Sequence, residues 1–438
     1  MLRRIGRSVI EAGDTTSPAL FPAKLEFNPP VHEPWNIVHI GMLVPEAHQV
    51  YVCAVNCMRG VVLTAAEMGA RERFSCVVLK EEDITRGTVE EVTLEGITDA
   101  LHKLEARGSL PPCVIVFPVC THHFLGVSMA HVYRELEERF PTVDFIHGFM
   151  DPIMNSRLTP DARLRDVMHD VLKPCDEDER LVAHLGSDFP LDGDCDLRQM
   201  VSASGRSLAS IHDCASYADY QGLARAGLLV ATYPNASRGL EKVAARLGRR
   251  ALYLPGSFSY DEIEAQQAEL AEALGIQAPD AAAEKAACDE ELARTKALVG
   301  DTPIAIDAAL HPRPLGLARL LLEHGLNVQE VYLDVVSAED ADALVWLKEH
   351  APHVQLSSIV LPELRVAPRT RARTMLALGP KAAWFTGTDR FVNIVEGGGL
   401  WGFAGIRTMA RLMREAWETP KDTRSIVPRK GLGCVSCI

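Results

Sequence analysis

Short apolar runs that alternate with amphipathic helical stretches are the feature of this 438-residue sequence that most constrains its fold. Runs such as CVIVFPV and PIAIDAAL have the length of strands, and stretches such as VSMAHVYRELEERF have the period of helices. This alternation is typical of parallel sheets that are covered by helices on both faces. The sequence therefore predicts an α/β protein throughout.

The alternation recurs in three blocks that share no sequence period, which favours three Rossmann-like domains over a repeat array. The predicted divisions are an N-terminal arm (1–34), a first domain (35–195), a second (196–300), a third (301–420) and a C-terminal tail (421–438). The strands predicted besides those above are NIVHIGML, FSCVVL, TVDFIHGF, RQMVSAS, GLLVATYP, RALYLPGS, VQEVYLDV, VQLSSIVL and AAWFTGT. The acidic, turn-rich segment from Cys175 to Asp196 is interpreted as a linker.

Charge and hydropathy exclude two classes of protein. The net charge of -14, from 45 Lys and Arg against 59 Asp and Glu, argues against a nucleic-acid binder, which needs a basic face. No stretch approaches the roughly 18 apolar residues that cross a bilayer. We therefore expect a cytoplasmic protein with no nucleic-acid or membrane partner, whose eleven cysteines are reduced thiols or metal ligands.

Three cysteines lie beside predicted strands in the first third of the chain. Cys120 follows the strand VIVFPV, at the edge where open α/β sheets place ligands. Cys57 precedes a helix whose N-terminal amides would stabilise a thiolate, and Cys76 opens the strand SCVVL. Three thiolates that the fold gathers together could hold an iron-sulfur cluster. Buried structural thiols are the alternative for each, and Cys53 is an alternative first ligand.

Other residues near these cysteines have several interpretations. Cys113, within an apolar strand, is expected in the core, and His122 and His123 are either proton carriers or loop histidines satisfied by backbone. The C-terminal Cys434 and Cys437 could complete a four-thiolate zinc site with Cys53 and Cys57, or lie in a surface tail.

A glycine-rich loop forms the second candidate site. Gly397, Gly399 and Gly402 spell G-x-G-x-x-G between a predicted strand and helix, but no further strand ending in an acidic residue follows, as a dinucleotide site requires. We interpret Gly397, Gly398 and Gly399 as a loop that brings backbone close to a cofactor, substrate or partner, with amides that donate to anionic atoms. A structural tight turn is the alternative.

The order of the motifs carries a resemblance that no single motif does. The segments CMRGVVLTAAEMG, RFSCVVLKEEDITRG, VIVFPVCTHHFLG and FIHGFMDPIM resemble, in that order, the N-terminal domain of nitrogenase component 1 proteins. ATYPNASRGLEKVAARLG, HPRPLGLARLLLEHG and WFTGTDRFVNIVEGGGLWGFAGI are similar to the later domains of that family. The resemblance covers about Pro29 to Glu418 and implies a nitrogenase component 1-like fold.

The resemblance also implies cofactors and partners. In the family, two homologous subunits each give three cysteines to an interfacial cluster, which receives electrons from an ATP-dependent iron-sulfur reductase, the Fe protein. Carried over, the ligands are Cys57 (or Cys53), Cys76 and Cys120. They would hold an 8Fe-7S bridging cluster of the P-cluster kind, or a 4Fe-4S cluster with a fourth ligand. The implied assembly is a heterotetramer with a homologous component 1 subunit.

Two departures separate the chain from a dinitrogen-reducing subunit. In the family, a cysteine and a histidine bind a larger iron-sulfur catalytic cofactor. The cysteine position falls near Thr232 and Tyr233 in this sequence, and the histidine position falls in the segment Gly399 to Trp401; neither ligand is present there. Cys214 is either a replacement ligand or a buried thiol. The complex could still contain such a cofactor, in this chain or in a paralogue, and Glu396, His122 and His123 are candidate proton donors.

The closest resemblance is to the nitrogenase-like group that includes methylthio-alkane reductase. The leading hypothesis is a component 1 subunit of an oxidoreductase that cleaves a carbon-sulfur bond in a small-molecule substrate. The alternatives are a non-catalytic scaffold for iron-sulfur cofactor assembly, a nitrogenase-like tetrapyrrole reductase subunit, and an ordinary NAD-dependent enzyme with structural zinc.

Overall fold

The computed structural model describes residues 8–21, 37–150, 160–187, 189–361 and 374–422. The described chain forms three mainly parallel sheets, each flanked by helices, and this confirms the predicted α/β class. No helix among the described residues is long and apolar enough to cross a membrane. The proline-rich segment FNPPVHEPW and the terminal Cys434 and Cys437 lie outside the described residues.

The N-terminal segment is more than an arm. Its strand β1 (Val9–Glu11) pairs antiparallel with a strand of the third sheet, through the partners Val9 and Ser357. Residues 9–11 therefore belong to the sheet that is most distant from them in sequence. Nothing in the three residues Val-Ile-Glu predicts this pairing.

The first sheet has four parallel strands in the order β3-β2-β4-β5. Its strands are β2 (His48–Cys53), β3 (Phe74–Val78), β4 (Cys113–Pro118) and β5 (Asp144–His147). The helices around it are α1 (Ile37–Leu43), α2 (Val55–Glu67), α3 (Glu81–Arg86), α4 (Val89–Glu105), α5 (Cys120–Phe124) and α6 (Met129–Arg139). NIVHIGML was predicted to be a strand, and this prediction is wrong because the segment forms α1.

The second sheet repeats the first in its order, β7-β6-β8-β9, and is also parallel. Its strands are β6 (Asp178–His184), β7 (Ser207–Ser210), β8 (Ala226–Ala231) and β9 (Arg250–Tyr253). Its helices are α7 (Pro160–Val167), α8 (Asp196–Ala203), α9 (Tyr217–Gly222), α10 (Ser237–Leu247) and α11 (Tyr260–Leu274).

Two sequence interpretations fail in this sheet. The supposed linker 175–196 contains β6, an interior strand, so the second sheet begins before residue 195. The first half of β6, the mostly polar segment DERL, is partly or fully exposed, and only Val182 to His184 are buried. The sequence of β6 therefore does not look like that of an interior strand. Most of the predicted strand RQMVSAS lies in α8. The strand in this part of the chain is β7, which begins at Ser207 and was not predicted.

The third sheet has the order β1-β12-β11-β10-β13-β14, in which all neighbours except β1 are parallel. Its later strands are β10 (Ile304–Asp307), β11 (Val328–Tyr332), β12 (Gln355–Ser357), β13 (Leu376–Leu378) and β14 (Phe391–Val392). The helices are α12 (Ala281–Val299), α13 (Pro314–Glu323), α14 (Ala341–His350), α15 (Pro380–Thr386) and α16 (Gly402–Glu418). The predicted strand AAWFTGT is wrong, because it lies mostly in α15.

The cores join the sheets into one molecule. A single apolar cluster contains Tyr51 and Phe117 from the first sheet together with Ala183 and Leu229 from the second. Trp401, which precedes α16, packs into a further cluster beneath the second sheet. The carboxyl edges of the first two sheets are therefore held in fixed relation to the rest of the chain.

Candidate metal centre and the domain junction

Three of the cysteines gather on one face of the first sheet. Cys76 pairs with Tyr51 and Val78 pairs with Cys53, and residues that are paired across parallel strands point to the same face. Tyr51 fixes this face by stacking between Phe74 and Phe117, with ring centroids 4.8 and 4.4 Å apart. Cys53 and Cys76 therefore lie on the same side of the sheet.

The helix α2 brings Cys57 to the same region. It starts two residues after β2 ends, and Cys57 lies in its first turn, where its amide donates to the carbonyl of Ala54 at 3.0 Å. Cys57 was expected to precede the helix but lies within it. Cys57 and Cys76 both contribute to the electrostatic environment of Cys53, since neighbouring thiolates disfavour its ionisation.

These cysteines differ in their exposure to solvent. Cys53 has no exposed surface, whereas Cys57 and Cys76 are exposed. Burial, with the neighbouring cysteines as smaller causes, raises the pKa of the Cys53 thiol to about 12. Burial by surrounding atoms raises the pKa of Cys76 to about 11. Cys76 is the third of five residues in β3, so it lies within that edge strand and does not open it.

Cys120 approaches the same edge from the next strand. Val52 of β2 pairs with Pro118 of β4, and Cys120 begins α5 two residues later, half-buried. The expected position after β4 is therefore confirmed. Among the described residues, however, no three His, Cys, Asp or Glu side chains lie close enough together to hold a metal ion. The thiols are soft donors suited to an iron-sulfur cluster, but the described part of this chain does not complete a site.

The two histidines after Cys120 differ in role. His122 is buried, its Nε2 lies 2.9 Å from Thr93 Oγ1, and its Nδ1 accepts a hydrogen bond from the Val119 amide at 3.2 Å. Burial lowers its pKa, so it is a neutral side chain that pins the start of α5. His123 is exposed. Of the two, only His123 is placed to exchange protons with solvent.

Exposed apolar side chains are concentrated in the domain that contains these cysteines. Seven of the ten large apolar side chains exposed in the described part of the chain lie between residues 55 and 125. Val55, the first residue of α2, lies two residues before Cys57, and Phe124, the last residue of α5, lies four residues after Cys120; each is 65% exposed. We name this set the thiol-edge patch; it consists of Val55, Val62, Met68, Val78, Ile84, Phe124 and Leu125. Large exposed apolar patches mark interaction sites.

The glycine-rich loop is packed against protein. Gly397, Gly398 and Gly399 all have positive φ, and the amides of Gly397 and Gly398 donate to the carbonyls of Leu310 and Val395. The Gly399 carbonyl accepts from the Asp192 amide at 2.9 Å, and a Cβ at Gly399 would overlap the Pro190 carbonyl. These contacts favour the tight-turn alternative, although cofactor contact by the loop stays a prediction.

A carboxylate that sequence reasoning missed occupies the start of α16. Asp196 Oδ2 accepts from the amides of Phe403 and Ala404 at 2.7 and 3.3 Å, and from Gln267 Nε2 at 2.7 Å. Gly402 is required here because any Cβ would meet that carboxylate. The first amides of α16, which could bind an anion at a helix start, therefore bind a carboxylate of the protein itself. No sequence signal connects residues 206 positions apart.

The second sheet also has polar residues at its carboxyl edge, and sequence reasoning missed most of them. His184 ends β6 and its Nε2 lies 2.9 Å from Thr232 Oγ1, just beyond β8. Arg165 of α7 has a fully buried side chain, donates to the Gly186 carbonyl, and pairs with Glu396 at 3.3 Å. Its guanidinium lies 4.6 Å from the centroid of the Tyr233 ring.

The replaced cofactor positions fit poorly with a large bound group. Thr232 is engaged by His184, and Trp401 is 2% exposed, with its Nε1 donating to the Leu254 carbonyl at 3.0 Å. Cys214 donates from its thiol to the Ser210 carbonyl at 3.4 Å, and burial raises its pKa to about 11. The described residues at these positions therefore offer no free donor to a large cofactor.

Comparison with known proteins identifies the fold. Neither protein-family profiles nor curated proteins give a match to the sequence. Two solved structures of nitrogenase Cp1 match, one at pH 6.5 with TM-score 0.65 and 13% identity, one at pH 5 with TM-score 0.54 and 12% identity. The match covers 90% and 94% of this chain, and 94% and 95% of those chains. The chain therefore has a nitrogenase component 1-like fold, as the sequence predicted.

Proposed function

We propose that this chain is a component 1 subunit of a nitrogenase-like two-component reductase. It accepts electrons from an ATP-dependent Fe protein through an iron-sulfur cluster that it shares with a homologous subunit. Cys57, Cys76 and Cys120 are its ligands, and the bound cluster would supply one-electron redox chemistry at the interface. The single observation that carries the proposal is that these three cysteines lie on, or within four residues after, neighbouring strands of the first sheet, in the domain that holds the thiol-edge patch.

Exposure supports a shared rather than a private cluster. A cluster held at an interface needs thiolates that reach the partner, and Cys57 and Cys76 are exposed. The sequence resemblance implies that a homologous second subunit supplies the further ligands. The apolar surroundings suit burial by that subunit, since interface cores exclude charged residues. The same exposure favours Cys57 over the fully buried Cys53 as first ligand.

The reaction that we propose is reductive cleavage of the carbon-sulfur bond of a methylthio-alkane, and its support is the sequence resemblance. Cleavage takes two electrons and two protons and gives a thiol and an alkane. The electrons come from the Fe protein. His123, exposed three residues after Cys120, is a candidate proton carrier near the electron entry edge.

Anaerobic purification with the partner subunit tests the cluster. We expect about four irons per chain for a shared eight-iron cluster, and Cys120→Ala should abolish the iron and its spectroscopic signal. Cys175→Ala is the matched control, because Cys175 is a free cysteine exposed outside the thiol-edge patch. Unchanged iron in Cys120→Ala would overturn the proposal.

The purified complex also separates the alternatives. With Fe protein and ATP, methylthio-alkane consumption supports the reductase. Transfer of the cluster to an acceptor without substrate turnover would identify a scaffold for cofactor assembly. Porphyrin-like absorbance that co-purifies with the complex would identify a tetrapyrrole reductase subunit.

A further inference from the structure

The carboxyl edge of the second sheet is the place where this fold would accept a ligand. The strand order reverses between β6 and β8, because β7 lies on one side of β6, whereas β8 and β9 lie on the other. Ligands of open α/β sheets bind at such a switch point. His184 and Thr232 lie on its two sides and bond each other at 2.9 Å. The switch point is therefore bridged by protein side chains.

A buried ion pair lies next to the hydrogen bond between His184 and Thr232. Arg165 contributes a guanidinium with no exposed side-chain surface, and Glu396 a carboxylate that is 7% exposed, although they are 231 residues apart. Burying a charge in a protein is costly, and the opposite charge of the partner lowers that cost for each group. The pair joins α7 to the glycine-rich loop of the third sheet.

Glu396 adopts a conformation that a non-glycine residue rarely takes. Its φ is +50°, in the left-handed region, and its amide donates to the Ala309 carbonyl at 2.8 Å. Left-handed backbone costs a residue with a Cβ about 1 kcal/mol or more. The adjacent positions with positive φ are all glycine, so a carboxylate is kept where glycine would be less strained.

The third side of the junction is closed by close packing. His311 is 5% exposed, its Nδ1 accepts from the Arg313 amide at 3.0 Å, and its ring lies edge-on to Phe258. A Cβ at Gly256 or at Gly397 would come within 3.0 Å of this imidazole. Trp401 closes the same edge by its hydrogen bond to the residue after β9.

We propose that this chain closes its domain junction with its own Glu396 carboxylate, so that any catalytic cofactor of the complex is held by the partner subunit. The assignment of the cofactor to the partner subunit rests on the proposed function. Arg165 then has a structural role, as the cation that the internal carboxylate neutralises. The chain contributes half of the electron-relay ligands and no catalytic cofactor ligand among its described residues.

Anomalous diffraction at the iron edge of the wild-type complex tests where the cofactor lies. We expect an iron centre at the thiol edge and any second centre inside the partner. Iron beside Thr232 or Trp401 would overturn the inference. A complex without iron would overturn both the proposed function and the assignment of a cofactor to the partner.

Formate binding tests the closed junction independently of any cluster. Glu396→Gly removes the carboxylate and relieves the φ strain, which leaves Arg165 with a gap that a small carboxylate fits. We expect formate to raise the Tm of this variant with increasing concentration, and to leave unchanged the Tm of the parent and of the Arg165→Met, Glu396→Gly double variant. An equal rise in the parent, or no rise in the single variant, would contradict the closed junction.

Discussion

The first and second sheets have the same strand order, but the side chains at their carboxyl edges differ in exposure and in chemistry. In each, the second strand in sequence lies outside the first, and the third and fourth lie on the other side. Cys53 ends β2 as His184 ends β6, and Cys120 follows β4 by two residues as Tyr233 follows β8. The first edge presents exposed thiols and apolar side chains. The second presents buried polar groups that are paired with each other.

This difference shows that the backbone fixes a position and the side chains decide its use. A parallel sheet directs the residues after each strand to one edge in both cases. At the first edge, donors lie at the surface with no complete ligand group among the described residues. At the second, hydrogen bonds and an ion pair satisfy the polar groups within the chain. The first edge is therefore suited to a partner and the second to stability.

Charges in the thiol-edge patch should produce the largest effect. We expect Val55→Asp and Phe124→Asp to abolish co-purification with the partner subunit, because a carboxylate would be buried unpaired in the interface. Unfolding free energies should change by less than about 0.5 kcal/mol, since both side chains are on the surface. Val335→Asp is the control, because Val335 is also 65% exposed but lies outside the patch. If Val335→Asp impaired association equally, the patch would have no special role.

Breaking the buried ion pair should produce the next largest effect. Arg165→Met leaves the Glu396 carboxylate without its buried partner, which typically costs about 3–5 kcal/mol of unfolding free energy. Arg411→Met is the matched control, because Arg411 pairs with Glu415 on the surface of α16 and such pairs contribute about 0.5 kcal/mol. Urea unfolding of both variants measures the difference. Similar midpoints for the two variants would show that the pair does not stabilise the junction.

The buried His184 at the second edge should also make the free energy of unfolding depend on pH. Burial, with His212 and Arg198 as smaller causes, lowers the pKa of His184 to about 3, from about 6.5 in an unfolded chain. Between these values the unfolded state binds more protons, so stability is complete above pH 6.5 and falls by about 1.4 kcal/mol per pH unit toward pH 3. His184→Gln removes this titration. Its unfolding free energy should therefore fall less steeply with acid than that of the parent; equal slopes would contradict a buried neutral His184.

The sequence predicted the α/β class, but several strand predictions failed. NIVHIGML and AAWFTGT are short apolar runs that were expected to be strands and are helical in whole or in part, whereas RQMVSAS belongs to α8, which has exposed residues on one side. A fully buried helix of about seven residues has no polar face, so its periodicity cannot separate it from a buried strand. The longer segment VSMAHVYRELEERF has a clear polar face and was predicted correctly, since it contains α6.

The candidate site was predictable only where local sequence decides position. Cys120 follows β4, which its apolar run marks clearly, so its position could be predicted. The strand before Cys57, β2, was not predicted, because the preceding apolar run NIVHIGML was taken as the strand instead. Asp196 at the start of α16, and Arg165 beside Glu396, depend on pairings between residues more than 200 positions apart. No local pattern encodes such distances. The glycines of the loop were recognised, but their tight packing was not.

The smallest effect concerns the choice between Cys53 and Cys57. With a pKa of about 12, roughly one Cys53 thiol in ten thousand is ionised at pH 8, and it has no exposed surface. In the metal-free chain we therefore expect iodoacetamide to alkylate Cys57 while Cys53 stays unmodified until the protein unfolds.

Peptide mass spectrometry at successive times measures the two rates, and the exposed Cys175 provides an internal reference. Alkylation of Cys53 as fast as Cys57 would mean that β2 opens readily, and Cys53 would then regain its place as a candidate ligand. Protection of Cys53 together with protection of Cys57 only in the iron-loaded complex would identify Cys57 as the ligand, since a metal-bound thiolate is not free to react.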